Sequence, residues 1–517
     1  MQLVNKAICS KSIFKVLFRG ISRCLLLFIF LPLSAQQIPI HPEALFPVEF
    51  QIVKEPTFHS SIFPYRLPSA DSSLSAFALK FATKNSSINF TPILTALYLS
   101  TTDNFALHAA GGIKAFGNIN KIVSFGAQYA FHYLSLDSDF YSGRLLQGRV
   151  IPHYGRYSNK SGTNYSLNDF SFYLAVHPSK YIDVEAGIGK HHIGDGYRSL
   201  FLSANSAPYP YLKTSFHFWK VHYFSMVTSM RDYLLKKGFE SSFKKYISLH
   251  YLSWNITKRL NVNLFEAVIW ETADTLSNRS LDIHYLNPVI FYRPLEYNLG
   301  SPDNVVMGVG SRFSVLPNFR IYGQFLLDEF YLKEIKAGNK WWGNKYAYQL
   351  GFKIYNPAGI KPLTFQAEYN QARPYTYAHH YPLQNYGNWL QPLAHPLGSN
   401  FREAVFIVRY GYKKWFLHAR SINSWQGFDS NSSQNIGADI YKSSLIHDHE
   451  YNNQILQGKR FNSYTQEIKL ARMLVPSWGL QAELTGRYQI TQFDKTQYRY
   501  FITFGLRTLL FEEDNLL

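Results

Sequence analysis

Cysteine is nearly missing from this chain: the 517 residues contain two, Cys9 and Cys24. That excludes the small disulfide-stapled secreted scaffold. Charge is scarce as well, at 17% of residues, where soluble domains carry roughly 25%. Beyond the N-terminus no continuous apolar stretch approaches the ~20 residues of a membrane-spanning helix, which excludes a polytopic helical membrane protein. Disorder is excluded in turn, because disordered chains are poor in aromatics and here 17% of residues are aromatic.

What the chain does contain is rings. Tyr (38) and Phe (41) each outnumber Gly (31). At the N-terminus Lys6, Lys11, Lys15, Arg19 and Arg23 precede the apolar run from Cys24 to Leu33, which ends at Ser34 and Ala35. A basic region, a short greasy core and a small residue at the cut read as a secretory signal peptide over residues 1–35. Both cysteines fall inside it. So do five basic residues and no acid, which lowers the formal charge from +18 to +13. A basic surplus on an exported protein points to anionic glycans or outer-membrane lipid headgroups as neighbours, and away from nucleic acid.

From about residue 76 one pattern repeats: alternating apolar and polar positions, then a turn. Val123, Phe125, Ala127, Tyr129, Phe131 and Tyr133 alternate with Ser124, Gly126, Gln128, Ala130 and His132. Near the C-terminus Tyr498, Tyr500, Ile502, Phe504 and Leu506 alternate with Arg499, Thr503, Gly505 and Arg507. Successive side chains of a strand point to opposite faces, so each segment has one greasy and one polar or small face. Short connectors at Lys180, Lys258-Arg259, Pro317-Asn318 and Lys413-Lys414 join such segments as up-and-down hairpins. So many strands close on themselves to remove their edges. Their length, and rings near their ends at Trp219, Trp254, Trp270, Trp341-Trp342 and Trp415, match lipid-facing strands with aromatic girdles. The expected fold is all-β: a transmembrane antiparallel β-barrel of about 18 strands, of the outer-membrane type. It would occupy residues 76–511, preceded by a periplasmic lead-in or plug over 36–75 and followed by a short acidic tail, 512–517. Long connectors at 137–148, 198–211, 273–303, 373–400 and 427–462 would crown one rim.

Three connectors are too specific in composition to be spacers. In the first, Gly194 and Gly196 flank Asp195, followed by Arg198, Ser203, Asn205, Tyr209 and Tyr211. The second runs from His284 through Asn287-Pro288, Tyr292, Arg293 and Pro294 to Tyr297. The third runs from Arg373 through Tyr375 and Tyr377, then Leu393, His395, Pro396 and Gly398, to Glu403. These residues resemble the Wzi-like capsule-assembly superfamily of outer-membrane proteins, and more closely its Bacteroidetes branch of RemB-type gliding-motility proteins. Leu200, Leu202, Ser203, Asn205, Pro208 and Pro210 stand at positions of the superfamily's first-connector motif. His191-His192 stand where capsule-type members carry tryptophans, and Ala207-Pro208 where they carry Arg-Pro.

The resemblance implies a barrel in the bacterial outer membrane that binds or organises surface polysaccharide, in capsule assembly or attachment, or supports gliding. Its partners would be that polysaccharide, outer-membrane lipid and proteins of the gliding or capsule-export machinery, with the barrel itself a monomer. Flat rings stack on sugar faces, and planar donors bind hydroxyl or acidic groups. The candidate polysaccharide-binding residues are therefore Asp195, Arg198, Asn205, Tyr209, Tyr211, Arg293, Arg373 and His395. No catalytic residue, metal or cofactor is expected. His191 and His192 are adjacent and would point apart on a strand, His447 and His449 lack a third ligand, and no Gly-x-Ser-x-Gly elbow occurs. A rival reading is a passive porin-like channel for small anionic solutes, since a ring of this size allows an aqueous lumen.

Overall fold

The alternation seen in the sequence becomes eighteen antiparallel strands that close into one ring. The computed structural model describes residues 58–68, 79–101, 105–120, 122–135, 148–233, 242–272 and 303–508, together with 35–38, Phe46, Glu49, Tyr285 and Asn287. The strands are β1 (Ser87–Thr101), β2 (Phe105–Ile119), β3 (Val123–Ser135), β4 (Asn164–Ser179), β5 (Ile182–Gly189) and β6 (Tyr209–Phe218). Next come β7 (Val221–Tyr233), β8 (Ser242–Asn255), β9 (Leu260–Glu271), β10 (Asn304–Leu316), β11 (Phe319–Leu327) and β12 (Tyr346–Tyr355). The last are β13 (Leu363–Ala372), β14 (Phe401–Tyr412), β15 (Trp415–Phe428), β16 (Lys459–Val475), β17 (Leu480–Gln492) and β18 (Thr496–Thr508). Each pairs with its chain neighbour, and β18 pairs with β1 from Phe501↔Thr101 to Arg507↔Thr95, which seals the ring. At Val176/Ser179 the β4–β5 register shifts around Pro178, which cannot donate to the ladder.

The two faces are of opposite chemistry. Along β18, Tyr498, Tyr500, Ile502, Phe504 and Leu506 are exposed while Phe501, Thr503 and Arg507 are buried. Around the ring the outward positions are rings and aliphatics, among them Phe131, Phe172, Leu350, Phe406 and Ile468. The inward ones include Glu185, Asn263, Arg312, Gln349, Glu368, Glu403 and Glu467. An exposed greasy band around a polar interior is stable only in lipid, so the chain is a barrel of the bacterial outer membrane.

Connectors sort by rim. The turns β2–β3, β4–β5, β6–β7, β8–β9, β10–β11, β12–β13, β14–β15 and β16–β17 all lie at the end where β1 begins and β18 finishes. The long connectors stand at the other end, as they do on the extracellular side of such barrels. All three motif-bearing connectors belong to that loop rim.

The ring runs from Ser87 to Thr508, and Leu79–Ala82 forms a further exposed strand on β1. Two readings of the sequence need correction. Trp270 is not a lipid-exposed girdle residue: on the outward face of β9, beside Val268 and Tyr246, it is buried beneath Tyr285 of the β9–β10 connector. Trp341 and Trp342 sit in the β11–β12 connector, clear of the strand ends. Residues 1–34 of the expected signal segment 1–35, and the tail 512–517, lie outside the described residues.

Described parts of the 36–75 segment lie inside the ring. Phe46 packs edge-on against Phe416 near the turn rim, with ring centroids 5.2 Å apart. Glu49 takes Lys353 of β12 at 3.1 Å and Arg409 of β14 at 2.7 Å. Higher up, Tyr251 of β8 donates to Ser61 at 2.7 Å, and Ile62 and Phe63 pair as a short ladder with Ile193 and His192.

Candidate functional site

The loop-rim end of the lumen is built by two connectors that meet in the middle. After β5, the chain from Lys190 to Pro208 turns inward instead of rising over the rim. Gly194 makes that possible: its φ of 144° is one that L side chains rarely adopt, and an added Cβ would lie 2.5 Å from Gln324 Nε2. Glu368 of β13 then accepts the N–H groups of Tyr197 at 2.7 Å and Arg198 at 3.0 Å. Leu200, Phe201 and Leu202 are fully buried. Phe201 stacks on Phe265 of β9, centroids 4.9 Å apart and planes 3° from parallel, with Gly308 of β10 beneath it.

The β13–β14 connector comes from nearly the opposite side of the ring and locks onto this stretch. Tyr377 donates to the carbonyl of Leu200 at 2.9 Å, and Tyr386 to that of Phe201 at 2.8 Å. Ser203 N–H donates to Leu393 O at 2.7 Å, Asn205 Nδ2 to Pro392 O and Asn388 Nδ2 to Ala207 O, each at 3.1 Å. Leu393 and Ala394 complete the apolar cluster around Phe201. Composition that looked too specific for a spacer is thus largely accounted for by connector-to-connector bonding, since buried backbone groups need partners.

The candidate residues divide among several places. Arg198 and His395 come together on one carboxylate: Arg198 binds Glu403 through Nε and Nη2, each at 3.2 Å, and His395 Nε2 meets it at 2.8 Å. Burial lowers the pKa of His395, against the pull of Glu403 in the other direction. Asp195 lies apart, accepting from Ser60 and standing 3.6 Å from Arg312. Asn205 serves the Pro392 carbonyl, as above. Tyr209 and Tyr211 pack on His191, and Tyr211 donates to Glu185 at 2.7 Å, beside the Lys213–Glu185 pair at 3.0 Å. Arg293 lies outside the described residues. In the second connector Tyr285 is buried and donates to Asp303 at 2.6 Å.

Arg373 leads to a feature that reading the sequence missed. Its guanidinium donates to the carbonyls of Asn453 at 3.3 Å and Trp341 at 3.4 Å, tying the β13–β14, β15–β16 and β11–β12 connectors together. On this footing stands a shelf of rings. Trp342 stacks on His447, centroids 4.5 Å apart and planes 20° from parallel, and Trp341 packs against both Trp342 and Tyr331. Glu450 receives Trp341 Nε1–H and His447 Nε2–H. Tyr331 is 54% exposed, Trp341 and Trp342 are partly exposed, and Lys340 is open to solvent. The signal was present as paired tryptophans after a lysine, in a segment, 328–345, too long for a turn.

Beneath the shelf Asp328 is buried, accepting from Tyr377 N–H at 2.7 Å, next to Lys345, which pairs with Glu329 at 2.9 Å. Burial pushes the Asp328 carboxyl up to about 7, with Lys345 and the Tyr377 N–H pulling the other way.

Comparison with solved structures gives the same architecture. The chain is similar to Wzi of Escherichia coli, described as an outer-membrane protein involved in group 1 capsule assembly and a carbohydrate-binding β-barrel. The TM-score is 0.54 at 12% identity, covering 91% of this chain and 99% of that one. OprD of Pseudomonas aeruginosa follows with a TM-score of 0.42 at 11% identity over 83% and 97%, and OccAB4 of Acinetobacter baumannii with 0.43 at 8% over 82% and 99%. No family model matches the sequence, and no curated protein matches it. At 12% identity the likeness to Wzi establishes the fold alone.

Proposed function

We propose that this barrel binds or organises surface polysaccharide at its loop rim, as a binding protein rather than an enzyme. It would serve capsule assembly or attachment, or the gliding motility that the RemB-type resemblance implies, alongside proteins of the corresponding machinery. The observation that carries the reading is the shelf of Tyr331, Trp341, Trp342 and His447, partly exposed and edged by Lys340 and Glu450. Flat faces beside charged and amide groups suit a sugar ring, whose C–H face stacks while its hydroxyls bond. The carbohydrate-binding neighbour of the same fold supports it. Among the candidate residues, Arg373 holds the shelf from below. Asp195, Arg198, Asn205, Tyr209, Tyr211 and His395 act as the framework that fixes the connectors, and Arg293 stands as a candidate on the sequence alone.

The test is Trp341→Ala with Trp342→Ala in cells carrying the native surface glycan. Retention of the glycan should fall by roughly ten-fold or more, as expected when stacking at ~1 kcal/mol per ring is lost at several repeats. The barrel should stay heat-modifiable on gels. Undiminished retention in a folded double variant would reject the reading.

A further inference from the structure

The turn rim carries charge of one sign. The eight turn connectors contain no aspartate or glutamate. They do contain Lys180, Lys220, Lys258, Arg259 and Lys361, with Lys413-Lys414 between β14 and β15. The loop rim differs: between β15 and β16, Asp429, Asp439, Asp448 and Glu450 stand against Lys442 alone.

At four places a turn-rim cation lies over a ring. Lys180 Nζ is 4.9 Å from the centroid of Tyr181, Lys220 5.0 Å from Trp219 and Lys413 5.3 Å from Tyr412. Arg472, near the end of β16, lies 5.3 Å from Trp415. All four rings are exposed, Trp219 the most at 76%. Among the described residues none of these four cations forms an ion pair.

We infer that the turn rim is a binding collar for anionic phospholipid, each cation–ring pair seating one phosphodiester headgroup of the leaflet that meets the turns. Exposed Tyr and Trp at strand ends lie at headgroup depth. A cation resting on such a ring keeps its outer side open to a phosphate oxygen, and no carboxylate in the turns competes for it. The distribution selects lipid over a protein partner. The basic turns run from β4–β5 to β14–β15, over more than half of the ring with only Pro317-Asn318 between them uncharged, whereas a docked protein would meet one sector. The collar is independent of what the loop rim binds.

Native mass spectrometry of the full chain in detergent tests this, with phosphatidylglycerol and phosphatidylcholine of identical acyl chains added in equal amounts. The wild type should bind roughly five-fold more phosphatidylglycerol per site, as about 1 kcal/mol per lysine near the surface implies. The variant K180Q/K220Q/K413Q/K414Q should bind the two lipids equally, while the loop-rim variant K333Q/K336Q should keep the preference. Inorganic phosphate at matched ionic strength should compete no better than chloride. Equal binding by the wild type, a preference surviving the four turn substitutions, or displacement by phosphate alone would each overturn the inference. Should the fourfold variant fail to fold, Lys220→Gln and Lys413→Gln singly should each remove part of the preference, and retention of the full preference by both would overturn it as well.

Discussion

Arg198 reaches across the lumen to Glu403, and two nitrogens of its guanidinium meet the two carboxylate oxygens at 3.2 Å each. The same carboxylate holds His395. One residue of β14 therefore anchors both inserted connectors.

Replacing that anchor should loosen the connectors and leave the ring intact. Glu403→Gln removes the charge opposite a largely buried arginine, and breaking such a pair costs about 3 kcal/mol. Hydrogen exchange should accelerate in residues 190–208 and 373–400, while the strand amides keep their protection. Unchanged exchange in both connectors would refute the anchoring role.

The two tyrosines that cap the first connector offer a finer test. Tyr377→Phe and Tyr386→Phe delete the donors to Leu200 O and Phe201 O. Each should cost about 1 kcal/mol, and more where the carbonyl stays unpaired. The double variant should expose the stretch 197–203 to proteolysis faster than either single one.

These contacts mark the limit of what the sequence discloses. Strands were legible because an alternating pattern has to put Phe504 and Leu506 on one side and Thr503 and Arg507 on the other, whatever the neighbours are. Barrel closure followed from their number, and the loop rim from the length of its connectors. The meeting of Asn205 with Pro392 was not legible: those residues are far apart in the chain, and their connectors spring from nearly opposite sides of the ring. Trp270 and Trp342 read as girdle residues because a tryptophan near a strand end has the same spelling whether it meets lipid or a connector. Asp195, Tyr209 and Tyr211 carry polar chemistry that suits a ligand, yet the fold engages it in internal bonding, while the ring shelf on 328–345 has no motif to mark it.

Acidity should tell on Asp328. Its carboxyl is raised to about 7 in the folded protein, against ~3.9 when unfolded. The folded state therefore holds a proton that the unfolded chain releases between about pH 4 and 7. This group's contribution to stability falls as pH rises through that window and is constant above it. Asp328→Asn should remove the fall. Between pH 5 and pH 8 the wild type should lose on the order of 2 kcal/mol more than the variant in urea unfolding. Equal losses would show that Asp328 ionises freely in the fold.

Gly308 supplies a steric prediction. A Cβ there would approach Phe201 Cε1 to 2.3 Å, so Gly308→Ala should push the ring off Phe265. Overpacking of this kind costs about 1–3 kcal/mol. The change should appear as lower thermal stability and faster exchange at Phe201, with strand pairing unchanged.

Conductance separates the binding reading from the channel reading. The N-terminal segment and both connectors place buried side chains within the lumen, so wild-type protein in a planar bilayer should pass little current. Deleting residues 195–203 should raise it. A large, steady wild-type conductance for small anions would favour the porin-like alternative.

The connectors that interlock at Phe201 and Tyr386 spring from β5–β6 and β13–β14, almost diametrically opposed around eighteen strands. A hoop of hinged staves can be squeezed into an ellipse at little effort. A brace fastened wall to wall forbids that distortion, so lateral pressure in the bilayer should leave the girth and outline of this cylinder unchanged, and with them the spacing of whatever its crown presents.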